Sequence, residues 1–191
     1  MKLNSRRLLA VFLLALISVG FGFAFDATAT AVEKHRYPME PAYAEMISEY
    51  ALSYGIPEPI LWSAVRTRSN FVSNARSESG KTGLMQLSEE EFSFICTEIL
   101  REEEQDPGLL YDPATNLRCG AAYLSYLYQR YGVWDTVYLA FYAGTDAVNA
   151  WLSDSRYVNS VGRLSGVPDS GAAAFAEQME KAVSYYTKLY F

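Results

Sequence analysis

From Pro41 onward, apolar residues return every three to four positions, and glycines and prolines cut the runs into segments. That interval matches the 3.6-residue turn of a helix and not the two-residue pleat of a strand. Tyr43, Met46, Ile47, Tyr50, Ala51 and Tyr54 form the first run, and Gly55 stops it. Pro57 and Pro59 open a second, which carries Ile60, Leu61, Ala64, Val65 and Arg68. The polar stretch from Phe71 to Gly83 holds Gly80 and reads as a loop. Ser88, with Glu91 three residues on, is a capping-box start for a third helix bearing Phe92, Ile95, Cys96, Ile99 and Leu100. The charged run Arg101 to Glu104 ends it and reads as a solvated face. Asp112 and Pro113 supply the N-cap and first turn of a fourth helix that reaches Gly132. A fifth spans about Trp134 to Ala143, and a short sixth starts at Thr145 or Asp146. After a long loop from Ser153 to Gly171, a last helix covers about Ala172 to Tyr190. No stretch alternates convincingly, so residues 41–191 are expected to form one all-α domain.

Composition narrows what such a domain does. The net charge is −6, and basic residues cluster only at the extreme N-terminus, so a nucleic-acid footprint is missing. The single histidine, His35, lies in a polar linker, which argues against a histidine triad or a multi-histidine metal site. There is no glycine-rich phosphate loop of either standard spacing, and no cofactor is expected. Fifteen tyrosines are many; most are expected to pack the core, and some to line a groove suited to sugars. Cys96 and Cys119 fall on separate predicted helices and allow either one bridge or two buried thiols.

The N-terminus bears on compartment. Lys2, Arg6 and Arg7 precede an uncharged run from Leu8 to Phe25. As a helix that run is about 27 Å long, just enough to cross a bilayer core, and longer than a typical signal-peptide core. Residues 1–25 are therefore read as a membrane anchor or a signal peptide, with the flanking charges favouring a cytoplasmic N-terminus. The anchor reading places residues 8–25 in the cytoplasmic membrane and the rest at its outer face. The alternative is secretion after cleavage near Ala29 or Ala31. Residues 26–40 are expected to be a tether without regular structure.

Four segments in order carry a resemblance. They are VRTRSNF with the following SNARSESGKTGLMQL, then LYDPATNLRCGAAYLSYLYQRYG, then WDTVYLAFYAG, then DSRYV. Together they resemble the lysozyme-like lytic transglycosylase family of the soluble (SLT) type, over about Tyr37 to Tyr190. The resemblance implies a lysozyme-like transglycosylase domain of about seven helices. It also implies cleavage of the bond between N-acetylmuramic acid and N-acetylglucosamine in peptidoglycan, leaving a 1,6-anhydro end. One glutamate at the end of the second helix performs both proton transfers in that family, from a cleft dry enough to raise its pKa. The implied cleft residues here are Arg68, Ser69, Gly83, Met85, Gln86, Tyr142 and Phe175.

Three of these depart from the family pattern. Arg68 stands where the family has the glutamate of E-S-x-F, although Ser69, Asn70 and Phe71 match. Tyr142 replaces the asparagine of A-Y-N-A-G, and Phe175 stands where a tyrosine is expected near the acid. A guanidinium keeps its proton at neutral pH and cannot cycle between acid and base. It also opposes an oxocarbenium-like transition state, by roughly 3 kcal/mol at about 5 Å and an effective dielectric near 20. The expectation is peptidoglycan glycan-strand binding without cleavage, with Arg68 free to pair with a lactyl or stem-peptide carboxylate. Two alternatives stand beside it. One is an active lytic transglycosylase with a relocated acid, for which Glu78 is the candidate. The other is an interaction protein with a closed cleft. A cell-wall synthesis protein is a further candidate partner.

Overall fold

A computed structural model describes Leu14 and residues 28–191 of the chain. The rest of the apolar run from Leu8 to Phe25, with its anchor-or-signal reading, lies outside the described residues. No helix among the described residues is long and apolar enough to cross a membrane. The chain divides into two compact units, Met1–Pro38 and Met39–Phe191. In the first, residues 28–36 form a helix, α1, where the sequence was expected to run without regular structure. The correction has a local cause, since Ala29, Ala31, Glu33 and Lys34 are good helix formers.

The second unit is all-α, with short isolated bridges but no strand among its described residues. Its helices are α2 (Ala44–Tyr54), α3 (Glu58–Ser69), α4 (Glu89–Phe94), α5 (Pro113–Tyr131), α6 (Trp134–Ala143), α7 (Thr145–Ser153) and α8 (Ser170–Tyr190). Helix ends fall where the local signals put them. Gly55 closes α2 in the left-handed conformation, and Asp112 caps α5 by accepting from the Thr115 backbone N–H at 2.8 Å. At α4 the capping box forms in both directions. The Glu91 N–H donates to Ser88 Oγ at 3.1 Å, and the Ser88 N–H donates to Glu91 Oε2 at 2.8 Å. Ser88→Ala is expected to cost about 1 kcal/mol, read from the shift of a urea unfolding midpoint. An unchanged midpoint would show that the Lys81–Glu91 ion pair alone holds that turn.

Two elements had no clear sequence signal. A π turn, Ile95–Ile99, extends α4, with Leu100 N donating to Ile95 O at 2.8 Å. A 3-10 turn, Pro107–Tyr111, precedes α5. The charged run between them is not wholly solvated. Glu102 accepts two bonds from Arg118 on α5, at 2.8 and 2.9 Å. Both side chains are about a third exposed, so the pair adds little stability.

The core forms around α3. From Ile60 to Val65 every residue of this helix is buried, so it must be surrounded. Helix α8 packs on both α3 and α6, α5 packs on α6, and α2 packs on α5. Trp62 stacks on Tyr186 of α8 at 6.0 Å between ring centres. Cys96 and Cys119 are both buried free thiols, and burial pushes the Cys119 thiol up to about 12.

The loop between α3 and α4 is pinned from below by one residue. Asn116, fully buried on α5, accepts from the Met85 N–H at 2.7 Å. Its amide donates to Thr82 O and Leu110 O, both at 2.9 Å. Gly83 lies against that amide with φ of 84°, and any side chain there would run into Asn116. The Met85 side chain fills the space over Gly120, where a Cβ would strike it.

Candidate functional site

A cleft of about 560 Å³ opens between the C-terminal ends of α3 and α6, the first turns of α8, and the α3–α4 loop. Arg68, Lys81, Gln86, Tyr142, Phe175 and Gln178 are among the residues that line it. Each arrives by a short local argument. Arg68 sits in the last turn of α3, facing inward after the apolar run, and a cation is favoured at a helix C-terminus. Gln86 is held at φ of 51°, with its amide donating to Gly83 O at 2.8 Å and Ala75 O at 3.0 Å. Tyr142 projects from the end of α6 toward the first turn of α8, where its hydroxyl lies close to Gly171.

The centre of the cleft is a caged guanidinium. Arg68 Nη2 donates to the Phe141 carbonyl oxygen at 2.6 Å. The guanidinium carbon lies 4.6 Å from the centre of the Phe141 ring, 4.9 Å from Phe175 and 5.8 Å from Tyr142. Aromatic faces are negative and attract a cation, each by roughly 0.5–2 kcal/mol. Arg68 as a residue keeps part of its surface in the cleft, but its Nε is sealed off and has no hydrogen-bond partner. Burial lowers its pKa to about 10, against the opposing pull of the Glu91 carboxylate. At pH 7 roughly one guanidinium in a thousand is then neutral.

Tyr142 and Phe175 also pack on each other, with ring centres 5.3 Å apart. Arg68, Tyr142 and Phe175 thus form one cluster. Phe141 completes it and had no sequence signal, because it matters through its ring and its carbonyl. Tyr142 covers one side of the cleft without filling it, so the cleft is open, contrary to the reading in which Tyr142 packs it shut.

Other expected residues fall elsewhere. Met85, expected to line the cleft, is completely buried against Gly120, and Gly83 is buried against Asn116. Both shape the loop that carries Gln86 and do not face the cavity. Ser69 does not line it either, and its hydroxyl donates back to Val65 O at 3.1 Å. Glu78 is exposed, and only its neighbours Ser77 and Ser79 reach the lining. Glu91 is fully engaged, accepting from Lys81 Nζ at 2.6 Å and from the Ser88 N–H. The sequence reading missed Lys81 and Gln178, which lie in loop and helix positions with no distinguishing pattern.

Comparison with known proteins agrees with this architecture. Residues 45–160 match the transglycosylase SLT domain family. The soluble lytic murein transglycosylase of Escherichia coli K12 is 26% identical over 157 residues, which is 80% of this chain and 24% of that protein. The crystal structure of the 70-kDa soluble lytic transglycosylase from Escherichia coli superposes with a TM-score of 0.73 at 25% identity, covering 82% of this chain and 25% of that one. The structure of an inactive glutamate-to-glutamine mutant of the lytic transglycosylase Slt from Pseudomonas aeruginosa gives a TM-score of 0.67 at 27% identity, with the same coverage. The chain spans about a quarter of the length of these relatives.

Proposed function

The chain belongs to the transglycosylase SLT domain family, and on that premise we propose that it binds glycan strands of peptidoglycan without cutting them. The observation that carries this reading is the caged guanidinium. An acid–base residue must give up a proton and take it back near neutral pH. Arg68 keeps its proton there, and three aromatic rings with one carbonyl hold it in place. The cleft around it still has the furniture of a sugar site, with aromatic faces from Tyr142 and Phe175 and amides from Gln86 and Gln178. An exposed Glu78 outside the lining gives no support to a relocated acid.

The cell envelope is where such a ligand is found, and the apolar run 8–25 supports a place at the outer face of the cytoplasmic membrane. Co-sedimentation of the full-length chain with purified sacculi tests the reading. Binding is expected at physiological salt, and Tyr142→Ala is expected to weaken it by about fivefold or more. A chain that stays in the supernatant at every salt concentration would falsify the proposal.

A further inference from the structure

Two buried thiols take no part in the cleft. Cys96 lies in the π turn Ile95–Ile99 and Cys119 on α5, both without exposed surface. The turn packs on α5, and the chain that leaves it brings the two cysteines to one place. Arg101 takes the left-handed conformation, with φ of 58°, and the Glu102 N–H donates back to the Cys96 carbonyl oxygen at 2.9 Å. The carboxylate of the same Glu102 accepts twice from Arg118, at 2.8 and 2.9 Å, and Arg118 is the chain neighbour of Cys119. One residue thus holds Cys96 through its backbone and the neighbour of Cys119 through its side chain. The two thiols are themselves within hydrogen-bonding reach of each other. They are also the only cysteines in the chain, so each has a single intramolecular partner.

A lone buried thiol packs as a small hydrophobe and needs nothing more. A facing pair is different, because an oxidising compartment closes it. We propose that Cys96 and Cys119 are joined by a disulfide in the mature chain, tying the π turn to α5 across the loop 96–119. This rests on the export reading of residues 8–25 and adds a covalent modification to it.

The bond forms while the chain folds and not afterwards. Attack needs a thiolate. In the folded chain neither thiol meets solvent, and burial pushes the Cys119 thiol up to about 12. In the unfolded chain both titrate near the ordinary value of about 8.5. There one cysteine thiolate attacks a sulfur of a disulfide-bearing oxidant and displaces the other sulfur as a thiol. The second cysteine thiolate then attacks the first cysteine's sulfur in the mixed disulfide and releases the remaining thiol. The cysteines give up two electrons and their two thiol protons, and the oxidant leaves as two thiols that have taken them up. Folding then seals the bond away from reductants.

Thiol alkylation in denaturant, with intact-mass measurement, tests this on the full-length chain. The reduced chain, unfolded and then refolded with reduced and oxidised glutathione, is expected to end as a monomer with no alkylatable thiol. The folded, reduced chain given the same glutathione mixture is expected to keep both thiols. The bridged chain is expected to melt about 5 °C or more above the reduced one. Cys119→Ala is expected to melt at one temperature with and without reductant. Chain recovered from the envelope fraction, acid-quenched before opening, is expected to carry the bond. Free thiols or disulfide-linked dimers after refolding overturn the inference, as do free thiols in chain from the envelope. Rapid bridging of the folded chain overturns the order of events. A chain recovered from the cytoplasmic fraction instead overturns the export reading, whatever the refolded chain does. The alkylation arms use the unmodified chain, so they decide the matter even where the variant does not fold.

Discussion

Arg68→Glu is expected to release no anhydro-muropeptides and to destabilise the fold by roughly 2–4 kcal/mol at pH 8. The new carboxylate would replace a donor that now reaches the Phe141 carbonyl at 2.6 Å, so oxygen would face oxygen. Phe141 and Phe175 present ring faces to that spot, and those faces repel an anion as they attract a cation. Burial and missing donors favour the neutral acid, so the folded-state pKa of this glutamate lies above its unfolded value of about 4.3. The folded state then binds the proton more tightly than the unfolded chain. Stability of the variant therefore falls as pH rises through that window and recovers as pH drops toward about 5. Arg68 itself contributes no such slope there, since its pKa of about 10 lies far above this range. Thermal melts of both proteins at pH 5 and pH 8 test this. A variant as stable as its parent at pH 8 would contradict the cage. The triple variant Arg68→Glu/Tyr142→Asn/Phe175→Tyr, which introduces together the residues that the sequence resemblance implies, is the one expected to gain cleavage.

Asn116 variants are expected to do comparable damage from beneath the cleft. Asn116→Ala leaves the Met85 N–H and the Thr82 and Leu110 carbonyls without their partner in a fully buried place. One orphaned buried group costs roughly 1–3 kcal/mol, so a total of about 3–5 kcal/mol is expected. That corresponds to a melting temperature lower by roughly 6–20 °C for a domain of this size. Asn116→Asp should be no milder, because it turns the amide donor into an oxygen facing two carbonyl oxygens. Gln86 lies next in the pinned loop, so ligand binding is expected to weaken together with stability. A melting temperature within about 2 °C of the parent for both variants would show that the loop holds its shape without this residue.

The helices were legible because their signals are local. Ser88 with Glu91, Asp112 with Pro113, and Gly55 each act within one turn, and each cap forms as its sequence spacing implies. Helix α1 was missed because a segment taken for a tether carries helix-forming residues over 28–36. The cleft was legible in part. Arg68, Gln86, Tyr142 and Phe175 do come together, since the motifs that hold them lie in the expected order. The cage was not legible, because its main hydrogen bond joins residues 73 apart and uses a backbone carbonyl. Met85 and Gly83 were misplaced for a related reason. A motif marks a segment that shapes a site, and burial decides which of its side chains reach the cavity.

Mass spectrometry of the soluble products after the full-length chain is incubated with peptidoglycan sacculi tests the central claim most directly, with a cleaving SLT-family enzyme as the positive control. The account predicts protein bound to the sacculi and no 1,6-anhydro products above the protein-free blank. Anhydro-muropeptides released by the unmodified chain would contradict it, because a caged arginine cannot supply the two proton transfers that release requires.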